Sequence, residues 1–207
     1  MTWAPDYVTN AELTAFANAG AVDSAWVDWA RTTASRAVDS HTHRQFGQVA
    51  APEARMYTAR WSKSQGGWLV DTDDLMTLTG LAVAWDSAND GTYATTVAVG
   101  GLRWLPWTAA QLGRPWERFV VKTQGVPTMF DSRVGGFRVT ASWGWAAVPT
   151  TVAQATALQA NRLIARRDGP YGVAGSPSDG SEIRLMAKVD PDVAVTLAHY
   201  RRRTWAR

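Results

Sequence analysis

The order of its patterns constrains this chain more than any single motif. Residues 1–47 and 149–207 repeat apolar positions at helical spacing, whereas residues 53–145 run in short pieces rich in Val, Thr and aromatics, separated by Gly-containing turns. Each helical stretch is too short to bury a core by itself. We therefore predict an α+β fold, in which both chain ends form one small helical bundle and an antiparallel β-rich domain is inserted into it.

The predicted boundaries follow from where the pattern changes. Residues 1–50 form the first part of the bundle, residues 51–145 the inserted β-rich domain, and residues 146–207 the second part with a long loop and a basic C-terminal tail. Within the β-rich domain, "SANDGTY" has the composition of a hairpin tip.

Local signals predict where the helices begin. Thr9 and Glu12 have the spacing of a capping box, and Asp23 or Ser24 precedes an amphipathic run. Pro149 and Thr150 open a helix that we expect to reach about residue 167, and Asp190 followed by Pro191 opens the last one. Gly20 is the expected stop of the first helix.

The third helix carries apolar side chains on more than one side. Val152, Ala153, Ala157, Ala160, Leu163 and Ile164 share one arc, while Ala155, Leu158 and Ala165 form a second, smaller patch. We expect such a helix to pack against more than one neighbour.

Composition narrows the functional classes. The chain is 46% hydrophobic and 19% charged with a net charge of +3, so no broad cationic field indicates nucleic-acid binding. It has no cysteine, which excludes disulfides and thiolate metal sites. No apolar run is long enough to span a membrane and the N-terminus lacks signal-peptide features, so we expect the protein to be made in the cytoplasm.

The sequence offers no residue set for catalysis. His41 and His43 are two residues apart, so they face different sides of a helix, and no third metal ligand lies nearby. "DTDDL", which begins at Asp71, lacks the Gly and Glu of a calcium loop and is interpreted as a solvated turn between strands. We expect no metal, no cofactor and no enzymatic activity.

Tryptophan is unusually abundant, with twelve residues. Five of them could form a stacking platform for sugar or single-stranded nucleic acid, or could fill the core of the β-rich domain. We favour the core. They are Trp104, Trp107, Trp116, Trp143 and Trp145.

The C-terminal half carries a recognisable order of motifs. "VTASWGWAAVPTTVAQATALQANRLIARRDGPYGV" is followed, after a variable loop, by "KVDPDVAVTLAHYRR". This order resembles the head-to-tail adaptor (head-completion or connector) proteins of long-tailed, siphovirus-type phages, particularly those of actinobacterial hosts. The N-terminal helices ending in "HRQF" and the section "LVDTDDLMTLTGLAV" fit the same pattern.

The resemblance implies a structural virion protein at the head-tail interface. Proteins of that family form a dodecameric ring under the portal protein, dock tail-side stopper or connector proteins, and extend a channel through which DNA passes without sequence-specific binding. The implied partners are therefore the portal protein, a tail-side protein and further copies of this chain, with assembly in the host cytoplasm and no membrane.

Three groups of residues are assigned roles by this resemblance. The subunit interface is assigned to Ala155, Leu158, Arg162 and Arg166. The portal contact is assigned to Tyr200, Arg201, Arg202, Arg203 and Trp205. The channel, or the next ring, is assigned to the loop 169–186 with Tyr171, Ser178, Asp179 and Arg184.

The alternative is a Trp-rich module that binds carbohydrate or single-stranded nucleic acid through its β-rich domain. That alternative expects a row of exposed tryptophans and a functional monomer.

Overall fold

A computed structural model describes residues 4–17, 22–122, 130–166, 173–174, 183–184 and 189–202. It contains four α-helices and two four-stranded antiparallel sheets, which confirms the predicted α+β class. The chain divides into two compact units. One comprises Met1–Phe46 and Val148–Arg207, here the helical unit, and the other comprises Gly47–Ala147, here the β-unit.

The helices begin where the local signals predict. Their bounds are α1 Asn10–Ala17, α2 Ser24–Thr42, α3 Thr150–Ala165 and α4 Pro191–Leu197. The backbone N of Thr9 donates to Glu12 Oε2 at 2.7 Å and the backbone N of Glu12 donates to Thr9 Oγ1 at 3.2 Å, which confirms the capping box. The predicted stop at Gly20 lies outside the described residues.

Side-chain caps fix the starts of α2 and α4. Asp23, rather than Ser24, caps α2, because its Oδ1 accepts from the backbone N of Ala25 at 3.0 Å. Asp190 caps α4 and accepts from the backbone N of Asp192 at 3.0 Å, with Pro191 at the first helical position.

Small and branched side chains build the core of the helical unit. Helix α3 packs against α1, α2 and α4. Alanines at the α2–α3 contact let the two backbones approach closely, while Leu and Ile fill the space beside them. The buried cluster contains Leu13, Val27, Ala30, Ala34, Ala160 and Ile164.

The described residues of the β-unit form eight strands. They are β1 Glu53–Tyr57, β2 Ala59–Ser62, β3 Gly67–Leu75, β4 Ala82–Trp85, β5 Thr95–Val97, β6 Leu102–Leu105, β7 Trp116–Val121 and β8 Phe137–Ala141. One sheet has the order β1-β8-β4-β5, here sheet 1, and the other has the order β2-β3-β7-β6, here sheet 2. Only Thr58 separates β1 from β2, so a single bent segment passes from one sheet to the other.

Aromatic side chains from both sheets fill the space between them. Phe137 of sheet 1 meets Phe119 of sheet 2 edge to face, with ring centroids 6.1 Å apart. Trp85 lies against Phe137 at 4.9 Å and Trp104 lies against Phe119 at 5.1 Å. All four are buried, so the inner faces of the two sheets form the core of the β-unit.

Two loops contain ordered local structure, the hairpin loop between β4 and β5 and the long loop after α3. The nine residues between β4 and β5 close the predicted hairpin, and the Asp86 carboxylate accepts from the backbone N of Gly91 at 2.9 Å within it. The long loop after α3 contains a short antiparallel pair, β9 Val173–Ala174 with β10 Ile183–Arg184.

Candidate functional site

The residues assigned to subunit contact occupy different environments along α3. Ala155 is only 3% exposed, so the structure contradicts its placement on a surface. Leu158 is 37% exposed and lies between Gln154 and Ala165 on the outward stripe of the helix. Arg166 is half-buried at the helix end. Of this group, Leu158 is the apolar residue that remains available to a neighbour.

Arg162 is already engaged within its own chain. Its Nη1 lies 2.9 Å from Asp190 Oδ2, and the backbone N of Asp190 donates to Gln159 Oε1 at 3.0 Å. Because Asp190 also caps α4, one carboxylate joins the last turns of α3 to the start of α4. Arg162 therefore fixes α4 against α3, and its assignment to subunit contact stays a prediction.

Buried small residues explain why α3 is apolar on more than one side. Helices α1, α2 and α4 all contact α3. They bury most of the main apolar arc of α3 and also Ala155 of the second patch. The buried residues of α3 are Val152, Ala155, Thr156, Ala157, Gln159, Ala160 and Ile164. The predicted multiple neighbours exist, and they belong to the same chain.

The C-terminal segment is held at the end of α2. Phe46 is fully buried, and Tyr7 and Tyr200 each meet its ring edge to face, at 5.5 and 5.7 Å. The backbone N of Arg202 donates to the carbonyl oxygen of Thr42 at 2.8 Å. Tyr200 is thus part of the helical unit, and Arg202 is the last described residue before the tail.

The structure describes only some of the other residues assigned to the portal contact and to the channel. Arg201 is exposed beside the anchored Arg202. Arg203 and Trp205 lie outside the described residues. Tyr171, Ser178 and Asp179, which are assigned to the channel, also lie outside the described residues. Arg184 falls in β10, where the backbone alone is described.

A polar network ties the N-terminal segment to α2. The Tyr7 hydroxyl donates to the Asp39 carboxylate and accepts from the backbone N of Phe46 at 3.0 Å. Arg36 Nε lies 3.3 Å from Asp39 Oδ2. Burial raises the pKa of Asp39 above its ordinary value, and burial together with the bond to Asp39 raises the pKa of Tyr7. Sequence reasoning missed this network because its members lie 32 residues apart.

The glycine of "SWGWAAVP" lies where the chain enters and leaves the β-unit. Here residues 47–49 run beside residues 143–145, a pairing that we call the neck. The backbone N of Val49 donates to the oxygen of Trp143 at 2.9 Å, and the backbone N of Trp145 donates to the oxygen of Gly47 at 2.8 Å. Gly144 has φ +107°, and a Cβ there would lie 2.0 Å from the Gly47 oxygen. The neck therefore requires glycine at 144.

The acid-rich stretch beginning at Asp71 is part of strand β3, which corrects its interpretation as a solvated turn. Asp71 lies 3.3 Å from Arg118 Nε, and Asp73 accepts from Arg55 Nη1 at 2.7 Å. Asp74 is buried and accepts from Trp145 Nε1 at 2.8 Å. Each acid is thus bonded to a group on another segment of the β-unit.

The five tryptophans considered as a platform do not form an exposed row. Trp104, Trp143 and Trp145 are buried, and Trp116 is half-buried. Trp107 is 70% exposed, with the Arg103 guanidinium 6.0 Å from its ring centroid. Trp143 and Trp145 instead belong to the neck, and Trp143 Nε1 donates to the oxygen of Glu53 at 2.8 Å.

Among the described residues, no three His, Asp or Glu side chains are grouped so that they could hold a metal ion. His43 is the left-handed cap residue that ends α2, with φ 56°. None of the described helices combines the length and the apolar character needed to cross a bilayer.

Comparison of the chain with protein-family models, with curated proteins and with solved structures gave no match.

Proposed function

We propose that this protein is a structural virion component, a head-to-tail adaptor that forms a ring, dodecameric in the family it resembles, between the portal protein and tail-side connector proteins. In this role it extends the DNA channel at the head-tail interface and is assembled in the host cytoplasm. The role requires self-association and two protein partners, and it requires no catalytic residues.

The observation that carries the proposal is that ten large apolar side chains among the described residues stay exposed, four on the helical unit and six on the β-unit. A subunit that is covered by neighbours on several sides needs such surface, and closed rings form through two different faces of one chain. The helical unit exposes Phe16, Trp29, Leu158 and Val195, and the β-unit exposes Met56, Trp61, Leu78, Trp107, Leu112 and Val134.

Aromatic stacking supports the same role on the helical unit. Trp29 stacks on Trp26 with ring centroids 4.5 Å apart, and it keeps 46% of its surface exposed. Tryptophan is enriched among the central residues that contribute most to binding in protein interfaces. The Trp26–Trp29 pair on α2 is therefore a second candidate contact surface of the helical unit, besides the outward stripe of α3 around Leu158.

The anchored C-terminus supports a partner contact beyond it. Arg202 is bonded to Thr42, so residues 203–207 follow directly after a residue that is fixed at the end of α2. The tail contains Arg203, Trp205 and Arg207, residue types that are enriched in interfaces. The net charge of +3 suits a conduit, since a strongly cationic lumen would retain DNA.

The direct test is co-sedimentation with portal rings purified from the virus that encodes the chain. The full-length protein should travel with the portal ring, and a variant that ends at Arg202 should not. If neither protein binds the portal at any salt concentration, the proposal fails. Binding of oligosaccharide or single-stranded DNA by a monomer that ignores the portal would instead favour the Trp-rich binding module.

A further inference from the structure

The outer face of sheet 1 is exposed or half-buried along its length and is nearly uncharged. Across its four strands the outward positions follow from the register, in which Met56, Arg138, Ala84 and Thr96 form one row. Arg138 is the sole charged residue among these positions. The outward residues are Ala54, Met56, Ala82, Ala84, Thr96, Arg138 and Thr140.

Arg138 is held by an aromatic ring. Its guanidinium carbon lies 4.9 Å from the ring centroid of Tyr93. Among the described residues no carboxylate lies within ion-pair distance of it, whereas Arg55, Arg118 and Arg133 each contact an aspartate. A guanidinium that is stacked in this way presents its N–H groups in a fixed plane, the geometry that binds a carboxylate with two hydrogen bonds.

Met56 flanks this cation, and the turn of Val134 and Gly135 lies beside Met56, since a Cβ at Gly135 would be 3.7 Å from the Met56 Cβ. Met56, directly opposite Arg138 in the register, is 60% exposed, and Val134 is 94% exposed. The turn that carries Val134 is pinned on both sides at Gly135, whose backbone N donates to Thr58 Oγ1 at 3.0 Å and whose oxygen accepts from the Tyr93 hydroxyl at 2.7 Å. We call Met56, Tyr93, Val134 and Arg138 the Arg138 patch. Its turn backbone and the Arg138 guanidinium are held in place, so binding would not have to order these two parts.

Helix α4 carries the complementary set. Val193 and Leu197 are buried, which turns Asp192 and Val195 outward, three residues apart on one face. Val195 is 75% exposed. No cation among the described residues lies within ion-pair distance of the Asp192 carboxylate. This face therefore offers one anion beside one apolar side chain, against one cation beside two apolar side chains on the Arg138 patch.

We propose that the Arg138 patch of one copy binds the Asp192–Val195 face of α4 in a second copy. Arg138 would pair with Asp192, and Val195 would lie against Met56 and Val134. The two surfaces are different, so the contact is head-to-tail, and repeating it closes a ring if the rotation between copies permits. As an account of lateral contact in the ring, the inference rests on the proposed function.

Cysteine cross-linking tests the contact directly, because the natural chain has no cysteine. Met56→Cys and Val195→Cys proteins are mixed, both in concentrated solution and on portal rings, and oxidised. We expect a disulfide-linked dimer in the mixture and not with either variant alone. The matched control pairs Val195→Cys with Leu112→Cys, an exposed position outside the patch. Equal yields from both pairs, or no dimer under either condition, would overturn the inference.

Charge reversal tests the ion pair. Arg138→Glu and Asp192→Arg should each weaken self-association by about tenfold or more, since each places like charges in contact. The double variant should restore it, and so should a mixture of the two single variants, in which each chain supplies the charge that the other needs. Single variants that associate like the natural chain, or that lose binding to a tail-side protein alone, would contradict a contact between copies.

The outcomes separate this inference from the proposed function. If rings form on the portal but the Met56→Cys and Val195→Cys proteins do not cross-link, the proposed function holds and this inference is wrong. If the cross-link forms in concentrated protein but the protein does not bind the portal, the contact between copies is supported and the adaptor role is wrong.

Discussion

At the scale of single residues, Gly144 carries a strict requirement for glycine. Its φ of +107° disfavours any other residue, and a Cβ would clash with the Gly47 oxygen. We predict that Gly144→Ala lowers the free energy of unfolding by about 3 kcal/mol or more, measured by urea denaturation. Gly100→Ala is the matched control, because a Cβ at Gly100 meets nothing within 4 Å. Equal stability of the two variants would contradict the role of the neck.

Asp39 gives a prediction about pH. Burial raises its folded-state pKa, so the folded chain binds a proton at this site more tightly than the unfolded chain, whose Asp pKa is about 3.9. Stability from this site is therefore present below about pH 3.9 and is lost as pH rises through the folded pKa. Asp39→Asn, which keeps an acceptor for Tyr7, should gain stability relative to the natural chain as the pH rises from below to above about 3.9, measured by urea unfolding. A constant difference across that range would contradict this assignment.

Residue-level features were predictable from sequence where they are local. Thr9 with Glu12, Asp23 and Asp190 act within three residues of their partners, and capping geometry fixes such pairs. The bond from Trp145 to Asp74 spans 71 residues. No local pattern encodes a partner at that distance, so it becomes visible only with the fold.

At the scale of elements, α3 shows what periodicity can and cannot establish. The pattern correctly predicts apolar surface on more than one side, because side-chain spacing on a helix is fixed. It does not reveal which element covers each side. The structure covers Ala155 with its own chain and leaves Leu158 partly exposed, although both belonged to one predicted patch.

The sequence of strand β3 wrongly predicts a turn, again because local pattern does not show which segments contact it. Asp is disfavoured in strands, and three acids within four residues suggest a turn. The register between β3 and β7 breaks between Asp71 and Leu75, so this stretch forms an irregularity in the sheet rather than its end. Cross-segment bonds to Arg118, Arg55 and Trp145 offset the poor propensity.

The attachment of α4 to α3 yields a prediction about two variants. Asp190→Ala removes both the helix cap and the partner of Arg162, whereas Arg162→Met removes the ion pair alone. We expect Asp190→Ala to cost about 2 kcal/mol and Arg162→Met about 1 kcal/mol or less, measured by thermal unfolding. Hydrogen exchange in α4 should increase more in Asp190→Ala. The reverse order would show that the ion pair, not the cap, holds the helix.

At the scale of the whole molecule, fold class followed from the sequence because helical and strand periods differ and their order along the chain is unambiguous. Assembly surfaces did not follow, since an exposed and a buried apolar residue look alike in sequence. Met56 and Val134 had no distinguishing pattern, and the strand register alone places Met56 beside Arg138.

Two C-terminal truncations should separate folding from assembly. A chain ending at Arg202 keeps the Tyr200–Phe46 contact and the bond from Arg202 to Thr42, so its melting temperature should equal that of the full chain. A chain ending at His199 loses both and should melt about 4 °C lower or more. Equal melting of the two truncated chains would show that these anchors contribute nothing.

The central claim is that copies of this chain assemble on a portal, and mass measured by light scattering tests it most directly. Portal rings mixed with excess full-length protein should gain about twelve copies of a 22.6 kDa chain. The chain ending at Arg202 should add none. A portal whose mass stays unchanged with correctly folded full-length protein, at low and at physiological salt, would contradict the account.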